Sequence, residues 1–374
     1  MSVDANVARS TLRVGVPFEP FWHPVPGGTG RAAREILLEL AQLGSIHVEG
    51  VAGWHRPSER RAVDELGPCT FLPMPRPVLY ESWLRVRRPR LEHHLGPLDV
   101  VWANAMVVPP TRAPVVATVH DVHFLDEPEL HSRRGRAFFP RVWEGVLDRA
   151  TLIVCPSEAA ARDCMRHGAA PERTEVVPLG VSSPLSAPES AGFVRRRFNL
   201  PHRFALWVGT VEPRKNVGVL IEAIRQVPDL PLVMVGPDGW GVDTRAMLAP
   251  LGDRLHRIGP VSDIQLSGLY RAASVFVLPS LVEGFGLPVL EAMAHGTPVV
   301  TSADTATAEV AGDAARLVDA RDPESVASAV RATFDDPGHT SDLVARGRRR
   351  AGQFRWADTA ARYAALFERV ATAA

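Results

Sequence analysis

Short apolar, β-branched runs bounded by turn residues alternate along the chain with longer segments whose apolar positions recur at helical spacing. The runs fall at 12–17, 47–52, 99–102, 114–119, 152–155 and 175–178, and helical spacing marks 31–43 and 138–150. Buried strands alternating with amphipathic helices predict a mostly parallel α/β sheet. The pattern lapses over 182–199, which is rich in Ser, Pro and charge and reads as a linker with a short helix. It resumes at 204–208, 232–235, 256–258, 275–278, 298–301 and 316–318, with a helix over 217–226. The expectation is one Rossmann-like domain over 1–181, a linker over 182–200 and a second Rossmann-like domain over 201–356. Residues 1–10 are small and polar and read as a frayed start. Two open parallel sheets align the carboxyl ends of their strands along a shared cleft, which is where ligands of such folds bind.

Composition fits that division, since 374 residues suit two domains of about 150 or more. Lys plus Arg number 42 and Asp plus Glu number 42, so no global field draws nucleic acid or anionic lipid. A 46% hydrophobic and 22% charged chain excludes wholesale disorder. Three cysteines, Cys69, Cys155 and Cys164, are too few for a disulfide framework or a structural zinc site and fit a reducing cytoplasm. No apolar run reaches the ~18 residues of a membrane span, and the start lacks a secretory pattern. A cytoplasmic protein is expected. Basic clusters at 85–90, beside Trp83 and Leu84, and at Arg133, Arg134 and Arg136 are expected to be solvated faces, with peripheral contact at the inner membrane face as the alternative.

Chemistry concentrates at strand ends. After the run at 275–278 comes Glu283-Gly284-Phe285-Gly286-Leu287, with Pro288 where a first helical turn tolerates it. Unpaired amides at that helix start form an anion site, and Glu283 and Glu291, eight residues apart, offer acceptors for hydroxyls. A nucleotide sugar would use all three features. After the run at 204–208, Gly209 precedes Glu212-Pro213-Arg214-Lys215-Asn216, where adjacent cations suit a diphosphate leaving group. In the first half, Pro26-Gly27-Gly28-Thr29-Gly30 reads as a loop of exposed amides before a helix. A dinucleotide fingerprint is imperfect there, because Ala33 stands at its last position and Glu49 is the nearest acid for a ribose. His120-Asp121-Val122-His123 ends another run, and His120 is expected to face the cleft; no ligand cluster at metal spacing accompanies it.

The string at 212–216, the Glu283 to Glu291 spacing within EGFGLPVLEAMAHGTPVV, and His120-Asp121 together resemble the retaining glycosyltransferases of family 4. The likeness runs from PGGTG to the C-terminal FRWADTAARYAALFERV. It implies a GT-B fold with two Rossmann-like domains facing across a cleft, the donor in the second, the acceptor mainly in the first, and a last helix over 357–374 crossing back to the first. It further implies that Arg214 and Lys215 bind the donor diphosphate, and that Glu283 with the amides of Gly284, Phe285, Gly286 and Leu287 holds the donor sugar and distal phosphate. Glu291 would take the ribose hydroxyls, His120 the sugar near the reacting carbon, and Gly28, Thr29 and Gly30 a loop closing over donor and acceptor. Gly209 and, more loosely, Arg257 and Ile258 would meet the donor, the latter two near its base. No catalytic metal and no cofactor are implied, the donor being GDP- or UDP-linked. The expected reaction moves a hexose, with mannose the candidate, to an acceptor hydroxyl on a glycan, lipid-linked sugar or small molecule, as in polysaccharide biosynthesis. A nucleotide-sugar-binding protein without turnover and an NAD(P)-dependent oxidoreductase are the alternatives.

Overall fold

The computed structural model describes residues 11–22, 27–182, 191–240 and 243–373. Expectations for residues 1–10, Pro26, linker residues 183–190 and Ala374 lie outside these. The first sheet has seven strands, β1 (Leu12–Pro17), β2 (Ile46–Ala52), β3 (Cys69–Phe71), β4 (Val100–Ala103), β5 (Val115–Thr118), β6 (Leu152–Cys155) and β7 (Thr174–Val176), ordered β3-β2-β1-β4-β5-β6-β7. The second has six, β8 (Ala205–Val208), β9 (Leu232–Val235), β10 (Leu255–Gly259), β11 (Val275–Leu278), β12 (Val299–Ser302) and β13 (Arg316–Val318), ordered β10-β9-β8-β11-β12-β13. Neighbouring strands run parallel throughout, with β8 in register between β9 and β11. Helices cover both faces, so β4, β5, β6, β9, β11 and β12 are buried along their whole length and read in sequence as unbroken apolar runs.

Strand order reverses between β1 and β4 in one sheet and between β8 and β11 in the other. Crevices at such switch points, beyond the strands' carboxyl ends, are where open α/β sheets bind ligands.

Several sequence expectations shift for identifiable reasons. β3 carries no apolar run and was not anticipated; it is a half-buried edge strand of three residues. Pro114 and Pro298 have no N–H to give a ladder, so β5 and β12 begin one residue later. Gly28, Thr29 and Gly30 are not loop: they form the first turn of the helix Gly28–Leu43, α1, whose remaining length packs its apolar face into the core. The helix Arg133–Arg149 starts earlier than 138 because Ser132 caps it, its Oγ accepting from the Gly135 N–H at 3.1 Å. Within the segment read as linker, the helix Ala191–Arg197 packs on the helix Asp263–Ala272, with Arg195 donating to the Ala272 carbonyl at 2.8 Å.

The last helix, Trp356–Thr372, lies on α1, β4 and β5 of the first unit. Its Tyr363 hydroxyl stands 2.8 Å from Thr118 Oγ1, which also accepts from Trp102 Nε1 at 2.8 Å. Trp83 is fully buried, so it contributes no surface to a membrane patch, while Arg133, Arg134 and Arg136 are exposed. The Cys155 and Cys164 sulfurs lie 3.6 Å apart as buried free thiols, a proximity that sequence separation hid. Among the described residues no helix is long and apolar enough to cross a membrane.

Candidate functional site

The chains leaving β8 and β11 flank the second sheet's switch point, and their side chains meet there. Pro213–Lys215 forms a single 3-10 turn, and the Leu281 N–H donates to the Arg214 carbonyl at 2.8 Å, binding the two loops together. Asn216, at φ 55°, uses its Nδ2 to donate to the carbonyls of Pro279 at 3.0 Å and Ala320 at 2.5 Å. It anchors the turn to the ends of β11 and β13.

Glu283 is the centre of a buried charge cluster. Its Oε1 takes Lys215 Nζ at 2.5 Å and Ser280 Oγ at 2.7 Å, and its Oε2 stands 3.3 Å from Arg214 Nη1. Arg214 Nε meets Glu212 Oε1 at 2.6 Å. Cations at a helix start oppose the dipole and need a carboxylate or anionic ligand nearby; here Glu283 and Glu212 are those carboxylates. Burial works to raise the Glu283 carboxyl, but Lys215 and Arg214 more than offset it and hold it at about 2. Burial opposes the charge on Arg214 as well, and Glu283 and Glu212 overcome it, so its pKa rises. For Lys215 burial prevails over Glu283 and the ammonium is lowered, and burial likewise raises Glu212.

Behind the cluster, Gly286 takes the left-handed conformation at φ 102° as the cap of the helix Leu287–His295. In that helix's first turn Pro288 has no N–H and the Val289 N–H donates to the Gly286 carbonyl at 2.9 Å, which leaves the Leu287 N–H without a helical partner. The Phe285 side chain is buried edge-to-face with Phe354, which leaves only its backbone for a ligand.

The first unit closes on this loop. A Cβ on Gly284 would fall 1.9 Å from the His120 carbonyl oxygen, and Ser157 Oγ donates to the Gly284 carbonyl at 2.7 Å. His120 is half-buried beyond the end of β5. Burial lowers its imidazole to about 4, with Asp121 partly opposing, so the ring is neutral at pH 7. From α1, Gly28 faces Leu287, and Arg31 Nη1 reaches Glu291 Oε1 at 2.6 Å. The other oxygen of Glu291 accepts from the Tyr270 hydroxyl at 2.8 Å. Glu309 accepts from the amides of Glu158 and Ala159 at 2.9 and 3.0 Å, a further tie across the cleft.

Of the expected site residues, Arg214, Lys215, Glu283 and the 284–287 amides gather at one place, with His120 against Gly284. Gly209 follows β8 directly. Glu291 meets α1 through Arg31 and Gly28 faces Leu287, while Thr29 and Gly30 of α1 open on a cavity of the first unit. Arg257, exposed on β10, pairs with Asp238 at 2.9 Å beyond β9, and Ile258 follows it at the strand end. Sequence reasoning missed Arg31, Tyr270, Ser157 and Ser280. Arg31 alone carried a signal, as the cation directly after the glycine run. Glu49 is engaged by Arg13, whose Nε lies 3.0 Å from its Oε1, so it offers little to a ribose. Among the described residues no three His, Cys, Asp or Glu side chains gather at a spacing that could hold a metal.

These shifts fix an acid response. Below its ordinary 6.5 His120 takes a proton only in the unfolded chain until pH falls to about 4, so stability is lost as pH falls through that window. His131 and His295, lowered chiefly by burial, act in the same direction. Glu283 stabilises fully above its ordinary 4.5, and that contribution is lost as pH falls toward about 2. Scanning calorimetry against pH is expected to show both limbs, with His120→Gln flattening part of the upper one and Glu283→Gln the lower. A Tm independent of pH from 6.5 to 4 contradicts the buried neutral imidazole.

Residues 26–183 match the family model described as Glycosyltransferase Family 4, and residues 193–350 the one described as glycosyl transferases group 1. The chain is 30% identical over 363 residues to the O-antigen chain mannosyltransferase B of Escherichia coli, covering 90% of this chain and 94% of that one. It is 33% identical over 393 residues to the MMP alpha-(1->4)-mannosyltransferase of Mycolicibacterium hassiacum, covering 97% and 93%. Among solved structures it is similar to sucrose-phosphate synthase from Thermosynechococcus elongatus, with a TM-score of 0.77 at 22% identity over 97% of this chain and 100% of that one. Anabaena HepE in complex with UDP-glucose gives 0.76 at 17% identity, over 96% and 99%. At those identities the structures speak for the two-domain parallel-sheet fold.

Proposed function

Because this chain belongs to the family 4 glycosyltransferases and has their GT-B fold of two facing Rossmann-like domains, we propose that it moves a hexose from a nucleotide diphosphate sugar to an acceptor hydroxyl, with retention at the anomeric carbon and without a metal. Mannose is the candidate sugar, from the names of the two mannosyltransferase relatives, and GDP or UDP the carrier.

The observation that carries the reading is the Arg214–Lys215–Glu283 cluster at the switch point beside the first turn of the helix Leu287–His295. In the reaction the bond from the anomeric carbon to the phosphate oxygen breaks, the acceptor oxygen takes its place on the same face and its proton passes to the departing phosphate, and the nucleoside diphosphate leaves. Charge grows on the departing phosphate. Arg214 and Lys215, held by buried carboxylates, and the amides of the 284–287 loop would stabilise it without reorganising. Glu283 and Glu291 are both committed to cations, so neither is a glycosidase acid or nucleophile. Glu291 would exchange its Arg31 contact for ribose hydroxyls. His120, neutral at working pH, would hydrogen-bond the sugar near the reacting carbon rather than supply charge. No resident cofactor takes part, the nucleotide sugar being substrate.

A thermal-shift panel of GDP- and UDP-linked hexoses tests the donor reading. The matching donor at a hundred times its Kd stabilises by ~2.7 kcal/mol, a rise of several degrees in Tm. No shift with any of them would sink the assignment.

A further inference from the structure

The first sheet has its own switch-point cavity, of about 270 Å³, between the chains that leave β1 and β4. Pro20, Tyr80, Val107, Phe138, Phe139 and Val142 form an apolar, largely aromatic wall, and Glu19 and Arg76 are the charged groups on its lining. Glu19 is wholly buried. Its Oε1 accepts the Gly53 N–H at 2.5 Å and lies 3.3 Å from His55 Nε2, whereas its Oε2 has no partner. A buried polar atom left unpaired costs ~1–3 kcal/mol, so Oε2 is open to a donor that a bound ligand can supply. Arg76 is half-buried and has no ion-pair partner among the described residues.

Resting on the donor reading above, we propose that this cavity receives the acceptor and that the acceptor is a small apolar-bodied alcohol, its ring against the aromatic wall and a hydroxyl donated to Glu19 Oε2. The volume lies near the lower end of small-molecule sites, ~300 Å³, which suits one small ring within it. A free hexose is disfavoured by the lining. It would bury several hydroxyls where Glu19 and Arg76 are the charged partners, and each one left unpaired costs ~1–3 kcal/mol. The cavity adjoins the donor side through one turn of α1: Thr29 and Gly30 line it, Gly28 between the units faces Leu287, and Arg31 reaches Glu291. Glu19 is thereby a positioning residue for the alcohol.

Binding in the absence of donor tests this independently of turnover. Saturation-transfer NMR with naphthol, methyl mannoside and geranyl phosphate is expected to give a signal for naphthol, none for the mannoside, and a weaker one or none for the phosphate. Glu19→Gln, which puts an amide where the unpaired oxygen stands, is expected to weaken naphthol by ~tenfold. Ala105→Leu, on the cavity lining and free of any side-chain hydrogen bond, is expected to abolish binding by filling the space, with an unchanged circular-dichroism melt showing that the fold persists. Tighter binding of the mannoside or the phosphate, or naphthol binding unaffected by Ala105→Leu, overturns the proposal. A nucleotide sugar that produces no thermal shift while naphthol binds would instead remove the donor reading and leave this site standing.

Discussion

Arg214→Ala is expected to lower kcat by ~10²–10³-fold, the loss seen when one donor to a developing oxyanion is removed. The same substitution strips Glu212 of its ion-pair partner in a buried position, which by itself destabilises the protein. The two effects separate in the double variant Arg214→Ala with Glu212→Gln. Neutralising Glu212 is expected to recover most of the lost Tm, and kcat is expected to stay at the level of the single variant. Steady-state kinetics at saturating donor together with a melting curve read both quantities. Recovery of kcat alongside Tm would mean that Arg214 serves the fold and not the leaving group.

Gly284→Ala acts by another route. Its backbone needs no special φ; the constraint is the His120 carbonyl, 1.9 Å from where the new methyl would sit. That carbonyl belongs to the other unit, so the variant pushes the two halves apart at the point where the 283–287 loop meets the first unit. A displacement of about 1 Å suffices to cost ~10²-fold in rate. The clash falls in a loop outside both sheets, so Tm is expected to change little beside kcat. Wild-type turnover in Gly284→Ala would show that the closed approach is not the active arrangement.

What the sequence made legible follows from where chemistry sits on this kind of fold. Strands buried on both faces announce themselves as apolar runs, and the loops that follow β8 and β11 carry their charged and glycine residues contiguously, so 212–216 and 283–287 stood out before any geometry was known. The pairings across the cleft did not. Arg31 and Glu291, or Ser157 and Gly284, meet only because the strand ends of the two sheets face each other, and nothing local marks which residue pairs with which. Gly28, Thr29 and Gly30 looked like loop because glycine is a poor helix former, yet packing of the rest of α1 extends the helix through them. Glu19 was invisible for a related reason: one acid after a strand has no pattern, and its importance lies in complete burial with an oxygen left unpaired. The Glu283 carboxyl was read as an acceptor for sugar, whereas its geometry shows it first as the counter-ion of Lys215 and Arg214.

Hexose transfer at the cluster around Arg214 is followed by real-time proton NMR of a nucleotide diphosphate hexose, an acceptor alcohol and the purified protein. The donor's anomeric signal is expected to decay while a product anomeric signal of the same configuration grows, and Arg214→Ala is expected to slow the decay ~10²-fold or more. An unchanged donor signal across GDP- and UDP-linked hexoses, or a product of inverted configuration, would contradict it.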